Sequence, residues 1–498
     1  MTTQSDSSTG STGSNIGPRI QLLAKGPQDA YVAGRDFSPF TARFKRHSRF
    51  ALETLDRPFM VPCVLGRIAR AEIPLSADAL AGISLSLRLP QLQGAHPLDT
   101  WAPSIGFVLL RRVKVLLNDV VVADHERLWM DIHAKLTAPP HKKMALDELV
   151  GAVPLTVSRA HDLLVPLHLP FSLTHVFPLI AMPGNTMTLE VHMESFDNCV
   201  RASTEARAPD AVFASATFLS PTIVSVVMAN AAPETRIVQL RAHTDNAVLQ
   251  TAAVPANATT VTFVLAEAWQ AVTVVCASVA RRVAVAKLVF PGQVPELPAA
   301  ALFDTVFLDW EERAVFVRSH HVWMYETVFD QEAKTYRENV STGGAIDRVP
   351  LKTVKVDLTE LNYPVRMLAW VVYAENVTTY FDYTPDALSS CRVVVAGREL
   401  VLPRPASYFQ LVTRHASGPG ITSARANTGV HDGIHVYSFA LRPGQASPTG
   451  ALAADTAKLP FLEVTLANPA AAPAVVKVFA VVRRFLTLYK GQARFVTS

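Results

Sequence analysis

Charge is scarce in this chain. Asp, Glu, Lys and Arg make up 18% of its 498 residues, against about a quarter in ordinary globular domains. Hydrophobic residues reach 49% and mean hydropathy is +0.22. A chain this apolar buries enough to fold, so disorder is excluded for its bulk. It is also short of solvated surface, which points to a protein that covers much of its outside with copies of itself or with partners. Long apolar runs are missing as well. The longest, Ala271 to Ala280, stops at Arg281-Arg282 and is about half the twenty residues a spanning helix needs. No membrane-spanning helix is expected.

Cysteine is nearly absent. Cys63, Cys199, Cys276 and Cys391 are far apart and none forms a C-x-x-C pair. Neither a zinc site nor a disulfide framework fits, and free buried thiols are expected. No basic-then-apolar leader opens the chain at Met1 to Gly17. Neither sign of charge dominates: 46 Lys and Arg face 42 Asp and Glu, a net charge of +4 with no like-charge run. That argues against a protein that reads nucleic-acid sequence. P-loop, G-x-S-x-G, H-E-x-x-H and dinucleotide fingerprints are all lacking.

What is present is strand periodicity. Met187, Leu189, Val191 and Met193 alternate with Thr188, Glu190, His192 and Glu194. Val354, Val356 and Leu358 alternate with Lys355, Asp357 and Thr359, and Leu462, Val464 and Leu466 with Glu463 and Thr465. One buried face and one wet face per run is the mark of antiparallel sheets. Thirty-four prolines and twenty-two glycines punctuate the runs, as in sandwiches and barrels. Helical spacing is confined to Glu126 to Leu136 and Lys142 to Val150. The length allows roughly three ordinary domains or two large ones. Residues 205–295, rich in Ala, Val and Thr, read as a third small β-domain or an elaborated loop.

Several clusters invite chemical readings. His161, His168 and His175 recur every seven residues, but an odd spacing on a strand alternates faces and cannot gather three ligands. His320-His321 with Glu326 lacks the His-x-His and glycines of a cupin site, and His431 with His435 fails likewise. Asp309, Glu311 and Glu312 form an acidic group. Adjacent helical residues diverge, so it reads as the solvated end of an element rather than an acid–base pair. Arg43, Lys45, Arg46, His47 and Arg49 read as a charged edge strand that deters stray pairing. Asn257, Asn339 and Asn376 each open an N-x-S/T triplet, at a frequency near chance. No catalytic, cofactor-binding or metal-binding residue is assigned, and no cofactor is expected.

The order of the segments resembles the major capsid proteins of nucleocytoplasmic large DNA viruses, the group that includes phycodnaviruses and iridoviruses. Gln28 to Val32 and Phe44 to Glu53 look like the family's first strand and its basic, aromatic continuation. Phe177 to Met182 followed by Thr188 to Met193 is similar to a strand pair late in the first barrel. Ala301 to Val317 resembles the junction between barrels, an aromatic strand ending in an Asp-x-x-Glu-Arg turn. Asn362 to Val372 matches a second-barrel strand, and Val478 to Val481 the closing one. Gly433 to Pro443 with Ser447 to Gly450 is the most specific match. Two departures stand out: Ala451 to Lys458 replaces the family's Cys-Asn-Phe-Ser-Arg-like residues, and about ninety extra residues follow Met193.

The resemblance implies an all-β chain of two consecutive eight-stranded antiparallel jelly rolls. It divides into a flexible arm at 1–18, a first roll at 19–312 with an insertion at about 205–295, and a second roll at 313–498. It implies a non-enzymatic homotrimer, a pseudo-hexameric capsomer in the icosahedral shell of a virion, assembled in the host cytoplasm. The implied partners are neighbouring capsomers, minor capsid and penton proteins and an internal viral membrane, without sequence-specific nucleic-acid binding. A transient scaffold of the same fold and a lectin-like jelly roll are the alternatives.

Overall fold

The alternation in Met187–Met193 has a direct outcome: Met187, Leu189, Val191 and Met193 are buried, while Thr188 and His192 stay partly wet. The computed structural model describes residues 47–91, 100–157, 159–172, 175–201, seven strands between 211 and 289, and residues 296–340, 346–358, 361–375, 380–384, 387–417, 432–443, 447–453, 460–468 and 473–496. The expected arm at 1–18 lies outside them, as do Gln28 to Val32. Phe50–Ser498 form one unit, which is described here.

Eight strands form the first roll. Its front sheet runs Phe50–Pro58, Ala299–Leu308, Ala79–Leu89, His161–Leu167, and its back sheet Ile68–Glu72, Met187–Met193, Leu110–Leu117, Val120–Glu126. Every pairing is antiparallel. Leu85, Phe107, Val113, Phe177 and Phe303 share the core between the sheets.

The second roll repeats the plan. Its front sheet runs His321–Lys334, Ala474–Tyr489, Val365–Ala374, His435–Ser438, and its back sheet Thr353–Asp357, Phe461–Leu466, Leu388–Val395, Arg398–Pro405. Counted within each roll, both front sheets read first–eighth–third–sixth and both back sheets second–seventh–fourth–fifth. Val356, Trp370, Val393, Phe409 and Val478 fill the second core. Gln492–Val496 adds a fifth strand to the front sheet, beside Ala474–Tyr489, so this roll exceeds the expected count of eight. Lys490 and Gly491, both at positive φ, make the two-residue hairpin that turns the chain back.

The extra residues after Met193 form two sheets of their own. Ala211–Phe218, Trp269–Cys276, Arg236–Ala242 and Val248–Val254 make one, and Thr260–Leu265, Thr222–Met228 and Val285–Val289 the other. Two short ladders pin this insertion to the first roll, Val200–Arg201 on Thr100–Trp101 and Glu296–Leu297 on Cys63–Val64. It is a β-unit rather than an irregular loop, placed between the seventh and eighth strands of the first roll.

Two expectations change. Ala301 to Val317 ends in a helix, Trp310–Arg318, not a turn. Asp309 caps it by accepting the Trp310 N–H at 2.8 Å, Glu311 and Glu312 occupy its first turn and Arg318 its last. Each charge sits where the helix dipole favours it. Phe177 to Met182 contributes no full strand: Phe177 bridges Leu80 singly, and Leu179–Ala181 is one 3-10 turn. Pro178 fixes φ and withholds a donor there, which blocks a ladder. The two expected helices appear as Arg127–Thr137 and Pro140–Val150.

Candidate assembly interface

The rolls meet in two places: Trp323, Tyr325, Leu486 and Leu488 of the second roll join the first roll's core beside Phe171 and Phe177, and a helix of the first roll lies on the second. Arg127–Thr137 follows the fifth strand of the first roll, and Leu128, Trp129, Ile132 and Leu136 recur on one of its faces. That face lies on the outer side of the second roll's front sheet, against Met367, Ala369, Val371, Phe479 and Val481. The Trp129 and Phe479 rings are 5.6 Å apart. Val365–Ala374 is therefore covered on both sides: Leu368, Trp370 and Val372 face the second core and their neighbours face the helix. This explains why the strand reads as an uninterrupted apolar run instead of an alternating one.

Paired charges ring the apolar contact. The Lys477 ammonium, 6% exposed, pairs with Glu126 across the seam and with Asp330 at 3.1 Å. Burial works to lower its pKa, but Glu126 and Asp330 outweigh burial and hold it above the ordinary lysine value. Arg127 meets Glu194 at 2.5 Å; here too burial is outweighed, and Arg127 with Asn198 keeps the carboxyl below its usual range. Glu326 lies near Arg366 at 2.9 Å and Arg483 at 3.6 Å, yet burial wins and its pKa is raised. Tyr383 donates to Asp131 at 2.8 Å, tying the second roll to the helix. Such pairs contribute less to stability than to fixing one arrangement, because each charge loses hydration on burial.

Three histidines converge at the same seam. His133, on the helix, lies 4.8 Å from the His168 ring, and His125 is 4% exposed beside His168. His133 and His168 retain a little accessible surface, and the His168 Nε2 is buried. Burial, reinforced by the neighbouring ring, lowers His125 to about 4. Burial lowers His168 to about 4 and pushes His133 well below its ordinary value. All three are neutral at physiological pH. Among the described residues no group of three or more His, Cys, Asp or Glu is placed to hold a metal.

The residues weighed from the sequence scatter. His161 bonds the Thr156 carbonyl at 2.9 Å, His168 joins the seam, and His175 bonds the Met324 carbonyl and stacks on Trp323. His320 lies against Tyr489, and His321 bonds the Phe316 carbonyl. Glu326 goes to its two arginines instead. His431 lies outside the described residues; His435 is buried on Trp370 with Gln410 at 3.0 Å, and burial lowers it to about 4. Arg43, Lys45 and Arg46 are outside the description, and His47 and Arg49 are exposed. Cys63, Cys199 and Cys391 are buried, and burial pushes the Cys391 thiol up to about 12. The side chains of Cys276, Asn257, Asn339 and Asn376 lie outside the described residues. Sequence reading missed the seam residues, although the helical spacing of Leu128 to Leu136 and the run at Met367 to Val372 were their visible signals.

Comparison with known proteins fits this geometry. The family described as "Major capsid protein N-terminus" matches residues 38–226. The major capsid protein of Pyramimonas orientalis virus is 31% identical over 223 residues, 41% of this chain and 50% of that protein. Capsid protein 1 of Acanthamoeba polyphaga mimivirus is 24% identical over 212 residues, 38% of this chain and 36% of that protein. The alignments thus span half or less of these relatives. By fold the likeness is broader: PBCV-1 VP54, solved for fitting into a reconstruction of the virophage Sputnik, superposes with a TM-score of 0.60 at 16% identity over 93% of this chain and 100% of that one. The Faustovirus major capsid protein gives 0.60 at 10% identity, over 91% and 93%. The double jelly roll is shared, and the resemblance to major capsid proteins of large DNA viruses holds.

Proposed function

We propose that this chain is a major capsid protein, a structural subunit that trimerises into pseudo-hexameric capsomers tiling the icosahedral shell of a large double-stranded DNA virus. The observation that carries the reading is the coupling of two rolls of one strand order by a helix laid from the first onto the second. Three such chains supply six similar rolls, and six similar corners are what a hexagonal lattice needs. Low charge supports the reading too, since obligate seams of about 2,000–5,000 Å² hide apolar surface.

The reading divides the chain into an arm at 1–18, a first roll at 19–312 and a second at 313–498. It assigns no catalytic, cofactor or metal role to any residue. Its partners are further copies, neighbouring capsomers, minor capsid and penton proteins and an internal viral membrane. Its place is the virion, with assembly in the host cytoplasm. Purified chain should have a solution mass near three times 54.1 kDa, and a species that stays at one chain mass overturns the reading.

The insertion at about 205–295 is assigned to an outward decoration. Among the described residues its strands pair with one another, and its two ends are held by separate ladders on the first roll. Replacing residues 203–294 by a short Gly/Ser linker should therefore leave the trimer mass reduced only by the deleted residues. Collapse to single chains in light scattering would instead make the insertion a clamp between subunits.

A further inference from the structure

Each half of the helix contact inside one chain has a counterpart in the other roll. In the second roll, Tyr408–Val412 and Thr413–Ala416 follow the fifth strand, as Arg127–Thr137 follows the fifth strand of the first. Phe409, Gln410, Thr413 and Arg414 hold this segment to its own roll. Leu411 and Val412 point away, 42% and 51% exposed. In the first roll, the outer side of the front sheet corresponds to the side that Arg127–Thr137 covers in the second. Leu302 pairs with Ser84, and Ser84 with Pro166, so these share that face. Among the described residues no helix lies over them: Ser84, Ala300 and Leu302 are half-buried and Leu164 is 38% exposed. Small residues, Ser84, Ser86 and Ala300, lie between Leu302 and Leu164 on this face.

We propose that the Tyr408–Ala416 segment of one copy seats Leu411 and Val412 on the Ser84–Leu302–Leu164 face of the next copy, repeating between chains the contact that joins the rolls within one. This rests on the shell-subunit reading for the number of copies. The contact itself is argued from the internal repeat: equal strand order, an equally placed helical segment, and one sheet face covered while its counterpart is open. A head-to-tail contact of this kind uses two different surfaces, and it closes into a ring of three when each copy is turned by a third of a circle from the last. Both surfaces lie outside the two cores, so each can be altered without disturbing either.

Ser84→Arg sets a long charged side chain at the centre of the face, and Leu411→Asp with Val412→Asp charges the opposing segment. Measured by light scattering, wild type should run near three times 54.1 kDa, and each variant at one third of that mass with an unchanged circular-dichroism spectrum. A trimeric wild type whose folded variants stay trimeric overturns this seam and leaves the shell reading standing. A monomeric wild type removes the shell reading itself. If a variant fails to fold, cross-linking decides. Chains carrying Ser84→Cys mixed with chains carrying Val412→Cys, treated with a short bismaleimide, should give a band at twice the chain mass that neither gives alone above wild-type background. No such band in a trimeric mixture overturns the seam.

Discussion

Trp129→Ala should loosen the coupling between the two rolls. Trp129 is 2% exposed and fills the centre of the helix-to-sheet contact, against Phe479 and beside His133. Truncating a buried tryptophan costs about 3–5 kcal/mol, transfer and cavity terms together. The loss falls on the helix contact, because Trp129 belongs to neither of the two larger core clusters, while the Trp323–Phe177 contact between the rolls is left in place. Wild type should unfold in a single calorimetric transition. The variant should show two at the same protein concentration, one per roll. Trp370→Ala makes the contrast: that ring lies inside the second core, on Phe409 and His435, and its loss should lower the second roll's transition specifically. A Trp129→Ala protein that melts once, at the wild-type temperature, would mean that the helix does not couple the rolls.

Acid should loosen the same seam. His125 and His168 have pKa values near 4 in the folded chain against about 6.5 when unfolded. Between pH 6.5 and 4 the unfolded chain takes up protons that the folded chain refuses, so stability falls as pH falls through that window. Each pH unit of that difference corresponds to about 1.4 kcal/mol, or about 3 kcal/mol for one ring. The two rings adjoin, so their effects are not additive. Glu194, held low at the same seam, loses its contribution in the same direction below its unfolded value. Glu326, whose pKa is raised, partly offsets the trend as it protonates. Urea midpoints at pH 7, 6, 5 and 4.5 should decline steadily. His125→Phe should flatten the decline, whatever it does to the midpoint at pH 7. Parallel pH profiles for wild type and variant would show that the ring does not carry the effect.

Much of the fold was legible because burial on one side of a sheet writes itself into alternate residues. Thr353–Asp357 and Phe461–Leu466 bury the alternating apolar residues that their sequences mark. The Arg127–Thr137 helix showed its spacing as well. The Trp310–Arg318 helix was misread because none of its residues is buried; without a buried stripe only its cap and charges mark it. His168 was read by its spacing to His161 and His175, but its neighbours proved to be His133 and His125, from elements that no spacing rule connects to it.

By itself, then, the order of residues determined an all-β chain of short antiparallel strands, poor in charge and similar in segment order to viral shell proteins. Tertiary structure alone decided which strands became neighbours, which apolar run was covered twice, and which histidines met. The reason is the reach of the contacts. Phe50 pairs with Leu308 and Lys477 meets Glu126, whereas periodicity records only how each residue's own side faces, never whose surface lies across from it.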